Sequence, residues 1–127
     1  MEVLLDSPAL LWWFNEPQRL SKRANSILTN TDNTVLVSAA VAWELSIKVS
    51  LGKLDALALL PGLTQRLQKE GFTELMISVA QAVRAGLLPL HHRDPFDRLL
   101  VAQAQDLGIP IVSADELLDR YDVKRVW

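Results

Sequence analysis

Short apolar runs alternate along this chain with longer segments in which apolar residues recur every three or four positions, and the two periods predict different elements. Glu2–Asp6, Thr34–Ser38, Thr73–Ile77 and Ile109–Val112 read as strands, and Lys124–Val126 as a short edge strand. Between them the helical period returns. Ser7-Pro8 has the form of an N-cap and first helical residue, opening a helix through Trp13 that Pro17 breaks. Ser21–Leu28 follows, with Leu20, Ala24, Ile27 and Leu28 on one face, and Thr31-Asp32-Asn33 reads as a turn. Further helices are predicted over Ala39–Leu51, closed by Gly52, and over Leu59–Glu70, with Pro61 near its start and Gly71 past its end. Ser78–Ala85 is predicted to stop at Gly86, and Pro95–Leu107 at Gly108. Ser113-Ala114-Asp115-Glu116 has the form of a capping box opening a last short helix. Strands alternating with helices predict a single three-layer α/β domain over residues 1–127, with a mainly parallel sheet.

Composition narrows this picture little. Half the residues are apolar and 22% are charged, as in an ordinary compact domain. No apolar run approaches the ~20 residues that span a bilayer, and no signal peptide is apparent. A cytoplasmic location without membrane contact fits both. The absence of cysteine excludes a disulfide scaffold and a thiolate metal site. The net charge of −2 argues against a general nucleic-acid binder, which is normally basic. Setting four of the 15 acids aside as a metal site changes the balance, because 13 basic residues then face 11 acidic ones. Two divalent ions would neutralise such a site.

The position of the acids matters more than their number. In open parallel sheets, ligands bind at the carboxyl ends of strands where the strand order reverses. Asp6 closes the first strand and Asp115 lies two residues past the fourth. Asp94 before Pro95 suits an N-cap, which places Asp97 at the third helical position, where free N–H groups and the macrodipole favour a carboxylate. Glu44 lies roughly one and a half turns into the helix that leaves the second strand. Each also has a structural explanation. Asp6 could simply precede the Ser7 cap, although a charge closing a buried strand is uncommon. Glu44 could pair with Lys48, worth ~0.3–0.5 kcal/mol on an exposed face, although Val41, Trp43, Leu45 and Ile47 surround it. Asp115 could serve a helix dipole, and Asp97 a capping box. Four carboxylates on one rim would raise each other's pKa unless cations were present. Oxygen ligands without cysteine or suitably spaced histidine point to Mg²⁺ or Mn²⁺ rather than zinc.

Four blocks of the chain resemble one family. Leu4-Leu5-Asp6-Ser7-Pro8-Ala9-Leu10-Leu11-Trp12, Ser38–Lys48 with Gly52-Lys53-Leu54, His91–Ala104 with its Asp94-Pro95-Phe96-Asp97-Arg98 core, and Val112-Ser113-Ala114-Asp115 resemble, in order, the PIN-domain proteins, in particular the VapC-type toxins of bacterial toxin–antitoxin pairs. The resemblance implies a three-layer α/β/α fold with strand order 3-2-1-4-5. It also implies a magnesium-dependent ribonuclease restrained by a cognate antitoxin, and a homodimer. Its acidic site falls on Asp6, Glu44, Asp97 and Asp115, with Asp94 left outside the core ligands. Ser7 stands where Thr is usual and keeps the hydroxyl, and Pro8 stands where His is common.

The mechanism expected from this is hydrolysis of an RNA phosphodiester by metal-activated water, leaving 5′-phosphate and 3′-hydroxyl ends. Asp6, Asp97 and Asp115 would hold one ion, with Glu44 positioning a second ion or the water. Lys48, Lys53, Arg93 and Arg98 are candidates to hold the RNA backbone, although each is by default a solvated charge. Other readings compete. His91-His92 invites a metal-free ribonuclease, indifferent to EDTA, but adjacent loop histidines point in different directions and lack a partner. Trp12, Trp13, Phe14 and Trp43 could stack bases, or else fill the core or a subunit interface. A non-catalytic RNA- or protein-binding module would show at least one eroded acid, and a phosphatase would want an Asp two residues after Asp6. The chain shows neither.

Overall fold

The computed structural model describes residues 1–55 and 59–127. Five strands form one parallel sheet: β1 (Glu2–Leu5), β2 (Thr34–Ser38), β3 (Thr73–Leu75), β4 (Ile111–Val112) and β5 (Arg125–Val126). Their order is β3-β2-β1-β4-β5, as the resemblance implied, in a three-layer α/β arrangement. The chain therefore winds outward from β1 through β2 to β3, then returns to lay β4 on the other side of β1. β1 pairs Leu4 with Leu36 on one side and with Ile111 on the other. A strand flanked on both edges and covered on both faces must be apolar throughout, and Val3, Leu4 and Leu5 are completely buried.

The helices are α1 (Ser7–Asn15), α2 (Lys22–Thr29), α3 (Ala39–Ser50), α4 (Leu63–Glu70), α5 (Val79–Leu87) and α6 (Pro95–Leu107). Their apolar stripes complete the core, where Leu10, Leu45 and Leu100 are fully buried beside Ile111 and Leu118. α4 and α6 each end on a glycine in the left-handed region, Gly71 at φ 75° and Gly108 at φ 66°, as their sequence punctuation predicts. Trp12, Trp13 and Phe14 are only partly buried. Trp12 packs on Trp127 with Arg19 over its ring, Trp13 packs on Phe72, and Arg66 covers Phe14, so these rings are structural. Among the described residues no helix is long and apolar enough to cross a membrane.

Four local expectations are corrected. The N-cap of α1 is Asp6, not Ser7, because the Asp6 carboxylate accepts from Ala9 N while Ser7 enters the first turn. α5 runs through Gly86 to Leu87, since its end is held by a side chain from another helix, described below. Ser113 does not open a capping box. Its hydroxyl accepts from Asp115 N, and Asp115 caps a 3-10 turn over Glu116–Arg120. The capping box in this fold belongs instead to Ser78 and Gln81 at the start of α5. Finally, the predicted helix Leu59–Glu70 is a 3-10 turn at Leu60–Gly62 followed by α4, because Pro61 and Gly62 disfavour a continuous α-helical start.

Candidate active site

The strand order reverses between β1 and β4, and the carboxyl ends of these two strands form the switch point at which α/β folds bind ligands. Asp6 and Asp115 leave β1 and β4 there. Asp6 is 3% exposed, its carboxylate turned inward to cap α1. Its pKa is raised to about 6, first by burial, with the Ser113 hydroxyl and Ala9 N–H pulling downward and the charges of Asp115 and Glu44 pushing upward.

Glu44 sits one helix further along the same rim. At 4% exposure it is not on a solvated face of α3, even though the predicted pairing with Lys48 exists. Lys48 Nζ donates to Oε2 at 2.8 Å, and the Ser7 hydroxyl donates to Oε1. The carboxylate is thus clamped at both oxygens, from its own helix and from α1. The same hydrogen bond raises the Lys48 pKa and keeps that side chain charged.

Asp97 takes the third position of α6, behind the Asp94 N-cap, whose Oδ1 accepts from Phe96 N at 2.8 Å and Asp97 N at 3.3 Å. The Asp97 pKa is pushed up to about 7, by burial first and then by the charges of Asp94 and Glu44, with His92 opposing and Asp6 adding to the rise. Asp115 points one oxygen at its own turn, accepting from Leu117 N, and the other at His92. Of the four carboxylates singled out by sequence, Asp97 and Asp115 offer oxygens within 4.8 Å of each other, and Asp6 and Glu44 lie close enough for their charges to raise the Asp97 pKa. His92 joins them, its Nε2 lying 3.0 Å from Asp97 Oδ2 and 3.1 Å from Asp115 Oδ2. Spacing had no means of finding it, because its partners follow five and 23 residues later and only the fold makes them neighbours.

The basic residues divide differently from the expectation. Lys48, Lys53 and Arg93 line one open groove of about 410 Å³ beside Glu44 and Asp94. Arg98 does not, and its candidacy for the RNA backbone is withdrawn. It is 9% exposed, and its guanidinium donates to the carbonyls of Ala85, Gly86, Leu88 and Pro89. These are the orphan acceptors at the end of α5 and the loop beyond it, so Arg98 is a helix cap supplied from α6. Trp43, 60% exposed, does not line this groove. It packs on Phe96, which does, with 5.2 Å between ring centroids, and itself lines a neighbouring hollow with Ala82, Ala85 and Leu99.

A model of the PIN domain matches residues 3–124 of this sequence. The chain belongs to the PIN domain family. This PIN domain is 32% identical over 121 residues to Ribonuclease VapC22 of Mycobacterium tuberculosis (strain ATCC 25618 / H37Rv), an alignment covering 91% of this chain and 88% of the relative. Its fold is shared by a chain of VapBC2 from Rickettsia felis, solved bound to a DNA fragment from its promoter. That match has a TM-score of 0.75 at 19% identity, over 100% of this chain and 99% of the other. A chain of VapBC-1 from nontypeable Haemophilus influenzae matches with a TM-score of 0.65 at 16% identity, over 99% and 97% of the two chains.

The raised carboxyls give the metal-free PIN domain a pH dependence of definite sign. Asp6 and Asp97 have folded pKa values of about 6 and about 7 against an ordinary 3.8, so above pH 4 the folded chain retains protons that the unfolded chain has lost. The stability linked to these groups is complete below the ordinary value and is lost as pH rises through the folded values. Thermal melting in EDTA is therefore expected to fall between about pH 4 and pH 7 and to level off above. A melting temperature that rises across this window would contradict the burial assigned to both groups.

Proposed function

We propose that this chain is a metal-dependent ribonuclease, the toxin of a toxin–antitoxin pair. The observation that carries the proposal is the convergence of Asp6, Glu44, Asp97 and Asp115 on one edge, two of them buried and two with raised pKa values. A fold that bears such a cost without a cation gains nothing from it. The donor set suits a hard ion, since it is carboxylate oxygen with no thiolate. Asp6, Asp97 and Asp115 would hold a Mg²⁺ or Mn²⁺ ion, which when bound neutralises charge on a phosphodiester and lowers the pKa of a coordinated water.

The remaining steps fall to the protein. Glu44, fixed at both oxygens by Ser7 and Lys48, keeps one orientation and positions the attacking water or a second ion. Lys48, Lys53 and Arg93 neutralise the phosphates on either side of the scissile bond from the walls of the groove. Trp43, beyond Phe96 from that groove, offers an exposed ring for a splayed base. Water as nucleophile leaves 5′-phosphate and 3′-hydroxyl ends and makes no use of the 2′-hydroxyl, so preference for RNA would come from shape and contacts. The similarity to VapC22 and to chains of VapBC complexes supports a cognate antitoxin as partner. A homodimer belongs to the same reading, and Val79, Val83 and Leu87, exposed along α5, are apolar surface that such an assembly could cover.

Expression of the chain alone is expected to arrest bacterial growth and fragment RNA. The purified protein should cut RNA with Mg²⁺ or Mn²⁺ and stop in EDTA, with 5′-phosphates on the fragments. Harmless expression together with intact structured RNAs in the presence of either ion would end the proposal.

A further inference from the structure

His92 has no part in that scheme, yet it stands among the carboxylates, 13% exposed. Its hydrogen bonds fix its tautomer. Nδ1 accepts from Asp94 N at 3.1 Å, so the ring proton is on Nε2, which is hydrogen-bonded to Asp115 Oδ2 at 3.1 Å and has Asp97 Oδ2 3.0 Å away. A nitrogen carrying that proton has no lone pair for a metal. Moving the proton to Nδ1 would set two N–H groups against each other at the Asp94 contact. The ring therefore meets the carboxylates as a donor, in the place where a cation would meet them.

We propose that His92 is a stand-in for the cation: in the metal-free chain its Nε2–H holds Asp97 and Asp115 together, and a divalent ion binds by displacing it. This rests on the metal-dependent reading of the site. A hard divalent ion of the Mg²⁺ type takes its oxygens at about 2.1 Å, and a ring nitrogen at hydrogen-bonding distance from both carboxylates occupies the same space. The backbone is built to stay while the side chain leaves. His92 N–H donates to the Tyr121 hydroxyl at 2.9 Å, and that hydroxyl donates to Pro89 O at 2.8 Å, neither bond involving the imidazole. The ion gains two carboxylates already gathered, at the expense of the bonds His92 made to them. Affinity is thereby set lower than the acids alone would give.

The test is Mn²⁺ binding by the full chain, with free Mn²⁺ read by its electron paramagnetic resonance signal and bound Mn²⁺ examined for coupling to ¹⁴N. Wild type is expected to bind Mn²⁺ without a directly coordinated nitrogen. His92→Ala should bind roughly tenfold more tightly, the worth of about one charge-assisted hydrogen bond. His92→Gln keeps an N–H donor and should stay within about twofold of wild type, since its hydrogen bonds to the carboxylates are of the same kind. Nitrogen coupling in wild type that disappears in His92→Gln would make His92 a ligand and overturn the proposal, as would unchanged or weaker binding by a folded His92→Ala. If His92→Ala does not fold, the wild-type coupling and the glutamine variant still decide. Mn²⁺ bound by none of the three would instead remove the metal-dependent reading itself, and the stand-in with it.

Discussion

Arg98→Ala is expected to destabilise the fold by roughly 3–4 kcal/mol, the largest loss anticipated from any single surface-to-core charge in this chain. The guanidinium serves Ala85, Gly86, Leu88 and Pro89 at once, and among the described residues only Pro89 O has a second side-chain donor, the Tyr121 hydroxyl. Truncation would leave several acceptors unsatisfied at the negative end of the α5 dipole and cut the polar link between the end of α5 and the start of α6. Among the described residues, only the bonds of Gln81 and Arg84 would then join the two helices through side chains. Lysine carries a compact ammonium in place of the planar fork and cannot reach the same fan of oxygens, so Arg98→Lys should recover less than half the loss. Urea unfolding is the direct measurement, and melting temperature should fall by more than about 10 °C. An Arg98→Ala protein as stable as wild type would show that water replaces the guanidinium at no cost, and Arg98 would again be free for another role.

Asp97→Asn is expected to lower metal-dependent RNA cleavage by about 10²–10³-fold or more, on the scale of losing one preorganised charge-stabilising group. Its effect on stability should have the opposite sign. The fold disfavours the Asp97 carboxylate, whose pKa is pushed up to about 7. An amide of the same shape removes that cost and still offers His92 an oxygen. In EDTA the variant should melt higher than wild type at about pH 8. The gain should shrink as pH falls below about 7 and vanish only below about pH 4, where Asp97 is protonated in the folded and the unfolded chain alike. Cleavage falling while metal-free stability rises would separate a ligand from a cap, because loss of a structural acid lowers both. Full cleavage activity in the variant would remove Asp97 from the proposed site.

The extent to which this was legible in the sequence differs between elements for physical reasons. β2 was read with its observed bounds because a β-branched run carries its own signal, and α6 because Asp94-Pro95 and Gly108 punctuate it at both ends. The cap of α1 was misread because Asp6 and Ser7 are both able to cap. Only the tertiary fold decides that the carboxylate turns to Ala9 while the hydroxyl goes to Glu44. Arg98 was misread for a related reason. Its period along α6 cannot reveal that the end of α5 lies within reach, so a buried donor looked like a solvated charge. The alternatives weighed for Glu44, ion pair or site, proved not to exclude each other, since the bond to Lys48 is part of what orients the carboxylate. His92 was weighed only with His91, as a metal-free pair, and set aside for want of a partner, because Asp97 and Asp115 are its neighbours in the fold and not in the sequence.

The pairing of β1 with β4 has a bearing on the making of the protein. β1 precedes the other four strands along the chain, but one of its two edges stays open until Ile111 and Val112 arrive, and Asp115 arrives later still. β1, β2 and β3 pair within the first 75 residues, but the closure of β4 onto β1 spans more than 100 residues and pays its loop-closure entropy late. A nascent chain with its last strands still inside the ribosome tunnel has Asp6 and Glu44 but no partner edge to assemble them against. The acids of this rim are thus brought together only after β4 has formed, and a nascent chain short of that point carries them unassembled.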